Sequence, residues 1–276
     1  MAVRQNVFCF LPIVATFSIL FNSCYCFYPK LLNINASLAV SDDQSGWSPA
    51  GATWYGGSKG AGTDGGACGY GDSVERPPFS SMVSAGGPSI FKSGIGCGAC
   101  YEVKCSTNSA CSGNPVTVVI TDECPGCVSE SVHFDLSGTS IGAMAKSGLA
   151  DLLRDAGILQ VQYKKVDCKY PGTTIAFHVD PGSNPNYFAT LIEYTNGDGD
   201  LASVDLKQAL ATDGWQPMQQ SWGAVWKLDG AGSTLLPPFS LRLTSLDSRK
   251  TIVATAVIPA GWEPGKTYRS VVNFNP

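Results

Sequence analysis

The chain has 276 residues and a formal net charge of −4, with its acidic and basic side chains scattered rather than clustered. Without a basic stripe it has no footprint for a phosphate backbone, and nucleic acid is excluded as a partner. Only two histidines occur, His133 and His178, and no metal or triad motif surrounds either, so each reads as a strand residue satisfied by hydrogen bonding.

The chain opens on Arg4, an apolar run from Val7 to Phe21, and the small polar residues Asn22 and Ser23. That is the layout of a secretory signal, closer in length to an h-region than to the ~20 residues of a membrane-spanning helix. An uncleaved anchor is the alternative. With residues 1–26 as the signal and cleavage between Ser23 and Phe27, the mature chain is expected to be soluble and extracellular, with no membrane insertion. Residues 27–50 read as a lead segment, and Asn35-Ala36-Ser37 within it is a glycosylation sequon.

Of 11 cysteines, Cys9, Cys24 and Cys26 leave with the signal, so eight remain, all between Cys68 and Cys168. An even number outside the cell reads as disulfides. The ~100 residues after Cys168 contain none, so the chain divides there into residues 51–168 and 174–276, with 169–173 as a linker. The first half is glycine-rich from Gly56 to Gly71 and from Gly86 to Gly98, which predicts short strands and loops held by cross-links. Val116–Thr121 is β-branched enough for a buried strand. Ile141, Met144, Ala145, Leu149, Leu152 and Leu153 recur at helical spacing, with Gly157 as the stop. Leu159–Tyr163 then alternates as a half-buried strand does.

The second half alternates at Ile175, Phe177 and Val179, at Ala202, Val204 and Leu206, and at Phe239, Leu241 and Leu243, with a last strand expected near Val271. Turn residues at Asn196–Gly199, Asp229-Gly230 and Pro237-Pro238 separate these runs, which argues a β-sandwich of immunoglobulin-like size.

Two Cys-x-x-Cys units, Cys97–Cys100 and Cys124–Cys127, have the spacing of a zinc site, but secretion and four further cysteines favour disulfides, so no metal or other cofactor is expected. The strand-then-helix context of a redox pair is missing around Cys124 and Cys127. Asp64, Asp122 and Asp135 are candidates for a paired-carboxylate cleft, because a glycosidase needs one carboxyl to protonate the leaving oxygen and another to activate water or attack. Composition alone favours the plainer reading, in which aspartates occupy turns. Trp54-Tyr55, Tyr187, Trp215, Trp222 and Trp226 sit beside glycine or polar residues and could stack on sugar rings. Trp222 and Trp226 share strand parity, so at least one is expected to be buried.

The ordered set Thr53-Trp54-Tyr55-Gly56, Gly65–Tyr70, Gly96–Tyr101, His133–Leu136, Asn184–Tyr187 and Ser221–Trp226 resembles the plant β-expansins, the family that includes the group-one grass pollen allergens. The resemblance covers Gly51 to Phe274. It implies a mainly β fold: a six-stranded double-psi β-barrel followed by an immunoglobulin-like, carbohydrate-binding β-sandwich. It also implies the pairs Cys68–Cys97, Cys100–Cys168 and Cys105–Cys111, which leaves Cys124 with Cys127. Thr53, Trp54, Tyr55, Asp64, Asp122 and Asp135 would line a polysaccharide groove on the barrel, and Tyr187 and Trp222 would form a platform on the sandwich.

The barrel further resembles that of the family forty-five endoglucanases, in which Asp135 would hold the acid position. Their base follows a motif that corresponds here to Thr53–Gly57, and this segment has no carboxylate. The implied protein is therefore a monomeric, secreted plant cell-wall component. It would bind xylan, cellulose or mixed-linkage glucan and loosen the wall without hydrolysis. The alternatives are a hydrolase or lytic transglycosylase completed by Asp122 or Asp64, and a purely adhesive wall protein.

Overall fold

The computed structural model describes residues 46–127, 132–209 and 214–274. The signal segment, Asn35 and the lead as far as residue 45 lie outside the described residues.

Six strands close the barrel: β1 (Ser48–Tyr55), β2 (Val83–Gly86), β3 (Cys100–Cys105), β4 (Val116–Glu123), β5 (His133–Ser137) and β6 (Leu159–Val166). Their order around it is β1-β5-β2-β4-β3-β6. Two pairs are parallel, β1 with β5 and β2 with β4, and the remaining neighbours are antiparallel. Period-two alternation fills the interior: Ala52, Val103, Val118, Ile120, Phe134 and Leu136 are wholly buried, while their neighbours face out. Ser48, Pro49 and Ala50, placed by the sequence in the lead, belong to β1 and pair with β6.

The single helix expected over residues 141–153 is two short ones, α2 (Gly138–Ala143) and α3 (Ala150–Arg154), following a turn of helix at α1 (Pro88–Phe91). Two causes are visible. The backbone of Met144 and Lys146 leaves the helix to hydrogen-bond with Ser112 and Ala110, beside the loop closed by Cys105–Cys111. Gly148 then adopts φ +79°, which no right-handed helix can carry. Leu152, expected in the core, is exposed.

The sandwich stacks a sheet of order β10-β9-β13-β14 on one of order β11-β12-β8-β7-β15. The strands are β7 (Ala176–Val179), β8 (Tyr187–Glu193), β9 (Leu201–Lys207), β10 (Gln216–Pro217), β11 (Gln219–Trp222), β12 (Val225–Asp229), β13 (Phe239–Ser245), β14 (Thr251–Ile258) and β15 (Thr267–Arg269). Phe177, Phe188, Phe239, Leu241 and Leu243 fill the space between the sheets. β14 is a strand that no alternation in the sequence marked, and the last strand, expected near Val271, ends at Arg269. Ser270 N makes the last cross-strand bond, to Ile175 O, and its hydroxyl accepts from Val272 N, with Val271 exposed between them. Trp222 and Trp226 do not share one strand: they flank the β11–β12 hairpin, Trp226 buried and Trp222 50 % exposed.

Barrel and sandwich belong to one compact unit. Phe79 of the barrel packs on Tyr70, Tyr170 and Tyr194, so Tyr170, within the stretch read as a linker, is buried in the seam. Lys165 on β6 reaches Asp200 and Asp247 of the sandwich, and Ser73 Oγ donates to the buried Glu193. Such a seam fixes the direction in which each half presents its outer face.

Four disulfides are formed: Cys68–Cys97, Cys100–Cys168, Cys105–Cys111 and Cys124–Cys127. Cys100–Cys168 ties β3 to the start of the seam and spans 68 residues of chain. Among the described residues no helix is long and apolar enough to cross a membrane.

Candidate functional site

Sheet register assembles the site. Thr53 on β1 pairs with Asp135 on β5, Asp135 with Ala85 on β2, and Ala85 with Asp122 on β4. Paired residues share a face, so these four stand in one row across four neighbouring strands. At ~4.8 Å per strand, the backbones of Asp135 and Asp122 are roughly 10 Å apart. Ala85 puts only a methyl group between them.

Asp135 is half-buried, and desolvation pushes its carboxyl above the ordinary Asp range. The Thr53 hydroxyl, 2.6 Å from Oδ1, and the nearby His133 ring pull it back, while the Asp122 charge pushes it up. His133 is buried two residues earlier on β5, with Nε2 3.0 Å from Thr53 Oγ1. Burial pushes its imidazole down and the Asp135 carboxylate pushes it up.

Asp122 is held differently. Oδ1 accepts from Ala67 N at 2.7 Å and Glu123 N at 2.8 Å, and Oδ2 accepts from Tyr55 OH and Thr63 Oγ1 at 3.3 Å each. A carboxylate offers about four lone-pair positions, so protein donors take all of them. The Tyr55 phenol is raised by burial first and by the Asp122 charge next, and it stays a neutral donor.

Two of the expected groove residues stand apart. Trp54 has the opposite parity to Thr53 and Tyr55. It packs against the barrel core and donates Nε1 to Arg154 O, so it is no part of the row. Asp64 is exposed in the loop, next to Thr63, and is on no strand of the row. Thr63 and the Ala67 amide, by contrast, were not singled out from sequence, because nothing local marks a loop hydroxyl or amide for a distant strand. His133 could have been found, since it shares parity with Asp135 in a short strand.

The sandwich face begins where the barrel loop ends. Gly223, at φ +47°, turns the β11–β12 hairpin so tightly against Ala67 and Cys68 that an added Cβ would lie 2.4 Å from Ala67 O. Ala224 N donates to Cys68 O. The Trp222 ring then rests on Gly69, where a Cβ would come within 2.7 Å of Cη2. Residues 66–69 thus touch Asp122 at one end and Trp222 at the other. Tyr187, half-buried at the start of β8, borders a concavity of about 170 Å³ with Pro217, Gln219 and Lys227. The arrangement is an open surface, polar on the barrel and aromatic on the sandwich. It suits a long polar chain better than an enclosed small molecule.

Comparison with known proteins agrees with this architecture. Residues 83–163 match the family model described as lytic transglycolase, and residues 175–259 match the expansin C-terminal domain. Expansin-B2 of Arabidopsis thaliana is 63 % identical over 256 residues, which is 93 % of this chain and 92 % of that protein. Expansin-B11 of rice (Oryza sativa subsp. japonica) is 62 % identical, covering 84 % of this chain and 79 % of its own length. The fold also matches a crystal structure of a Clavibacter michiganensis expansin variant in complex with cellohexaose, with a TM-score of 0.63, 21 % identity, and coverage of 83 % of this chain and 98 % of that one. With relatives at this identity along most of its length, its barrel and its sandwich both accounted for, the chain belongs to the β-expansin family.

Proposed function

We propose that this protein is secreted into the plant cell wall, binds wall polysaccharide along the barrel row and the Trp222–Tyr187 face, and releases non-covalent contacts between polymers without cutting them. The observation that carries this reading is the inequality of the two carboxyls. Among the described residues, the Asp135 carboxyl accepts one hydrogen bond, from Thr53, whereas Asp122 spends its acceptors on Ala67, Glu123, Tyr55 and Thr63. A hydrolase of inverting type needs a base with a lone pair for water, and Thr53–Gly57 has no carboxylate to replace it.

Each exchanged hydrogen bond is worth only about 1 kcal/mol net, so loosening has to come from several exchanges along one chain. Asp135 and Thr53 on the barrel, with Trp222 and Tyr187 on the sandwich, supply such a series on one connected surface. The related protein bound to cellohexaose supports a β-linked glucan as one ligand, and xylan and mixed-linkage glucan share its equatorial, ribbon-like chain. The match of residues 83–163 to a lytic transglycolase model favours weak lytic activity as the second reading.

Creep of stretched wall strips, run beside an assay for new reducing ends, separates the two. Creep without reducing ends, reduced in Asp135→Asn, is the expected result. Reducing ends that rise in step with creep and vanish together with it in Asp135→Asn would make Asp135 a working general acid and overturn the proposal. Binding without creep would leave an adhesive protein.

A further inference from the structure

The Thr53 hydroxyl makes two short bonds, to Asp135 Oδ1 at 2.6 Å and to His133 Nε2 at 3.0 Å, and it has one proton. One bond must therefore be donated and the other accepted. When Asp135 is ionised it can only accept, so Thr53 donates to it and His133 Nε2 must carry a hydrogen. This direction holds whether His133 is the neutral Nε2–H tautomer or the imidazolium, because both bear that hydrogen.

We propose that His133 is a positioning residue for Asp135, acting through Thr53: its Nε2–H occupies the acceptor side of the hydroxyl and obliges Thr53 to point its proton at the groove carboxyl. The inference rests on the reading of Asp135 as a groove carboxyl and adds a role for a side chain that itself touches no ligand. Register makes the relay possible. His133 and Asp135 are two residues apart on β5, and Thr53 is level with Asp135 on β1, so its Oγ1 reaches both. The ring has little freedom, since it is buried beside Gly51, where a Cβ would meet Nδ1 at 2.8 Å.

The groups that bear on the Asp135 charge can be named strand by strand. β1 contributes Thr53 and the neutral phenol of Tyr55, β5 contributes His133, β4 contributes the Asp122 carboxylate, and β2 contributes only Ala85. Burial and Asp122 both favour the protonated acid. The donated Thr53 hydrogen opposes them, and His133 is what keeps that hydrogen in place. Without the Nε2–H the hydroxyl is free to rotate away, and the carboxyl should take up its proton at higher pH.

The test follows the Asp135 carboxyl directly, by its ¹³C shift against pH in the full secreted chain. The expected results are an upward move of the Asp135 midpoint in His133→Leu and retention of the wild-type midpoint in His133→Gln, whose side-chain amide can still donate. In a Thr53→Val background the same His133→Leu change should move the midpoint much less, since the connecting hydroxyl is gone. An unmoved midpoint in folded His133→Leu, or an equal move with and without the Thr53 hydroxyl, overturns the coupling. If His133→Leu does not fold, His133→Met against His133→Gln carries the test, with the midpoint raised by Met, which has no hydrogen to donate, and kept by Gln. Creep is read separately. A raised midpoint with creep unchanged in Asp135→Asn leaves the coupling standing and overturns the loosening role of Asp135, so the two ideas fail independently.

Discussion

Thr53 donates to Asp135 at 2.6 Å across the parallel pair β1 and β5, a contact between residues 82 positions apart. Register alone sets it. A slip of one residue in either strand would turn one of the two side chains into the barrel core. The bond favours the ionised carboxyl while burial favours the acid, and burial is the larger of the two, so the folded carboxyl titrates above the ordinary Asp range.

If the protonated form is the one that exchanges hydrogen bonds with sugar hydroxyls, creep should grow as pH falls through that raised midpoint and level off below it. Asp135→Asn should flatten the profile, because the amide does not titrate. A wild-type creep rate independent of pH between neutrality and the ordinary Asp range would exclude the protonated carboxyl as the working form.

Asp122 should matter to stability more than to chemistry. Asp122→Ala removes the acceptor of the half-buried Ala67 amide, at a cost of about 1 kcal/mol, while water can replace it at the exposed Glu123 amide. Asp122→Asn should cost less. Its amide oxygen can serve both backbone donors, and the Tyr55 and Thr63 hydroxyls can rotate to accept from the amide hydrogens. Denaturant midpoints of the two variants check the order, and a milder Ala than Asn would contradict it.

Trp222 and Trp226 should separate by function and fold. Trp226→Ala removes a buried ring from the sandwich core and should cost about 3–5 kcal/mol. Trp222→Ala with Tyr187→Ala should leave the melting temperature nearly unchanged and abolish pull-down by insoluble polysaccharide. Gly69→Ala should mimic the binding loss, since at φ +89° and 2.7 Å from the indole an added methyl displaces Trp222. Full binding by Gly69→Ala would place the platform elsewhere.

Glu193 lies buried in the seam, and burial raises its carboxyl more than the Ser73 bond, His178 and Arg269 lower it. A raised carboxyl favours the folded state below the unfolded Glu value, and that contribution is lost as pH rises through the folded midpoint. Glu193→Gln keeps an oxygen for Ser73 and carries no charge. Relative to wild type, its melting temperature should therefore be higher above that window and approach equality at acid pH. A variant that is less stable at every pH would mean that the ionised carboxylate is needed.

The disulfides should rank by the chain they close. Removing Cys100–Cys168, with a separation of 68, should cost about 4 kcal/mol, and removing Cys124–Cys127, with a separation of 3, about half of that or less. Paired serine variants measured in denaturant test the order. Thiol titration of the unfolded wild-type protein lacking residues 1–26 should find no free cysteine.

The sequence by itself determined the two-part β architecture. Alternation at Phe239, Leu241 and Leu243, and the β-branched run of Val116–Thr121, are local consequences of side-chain size and of which faces must be dry, and local patterns survive without coordinates. The same holds for the family motifs, which marked Asp135 and Trp222. What the tertiary structure decided depends on register and on contacts across long stretches of chain. Ile141 to Leu153 has helical spacing, yet its middle is taken by the backbone around the Cys105–Cys111 loop, a competitor that no window of sequence contains. Trp54 and Tyr55 are neighbours in one motif, and strand alternation sends them to opposite faces. Asp122 and Asp135 look alike in sequence. Four donors from three parts of the chain close one, while a single hydroxyl steadies the other, because hydrogen-bond partners are chosen by the fold and not by their neighbours in the chain.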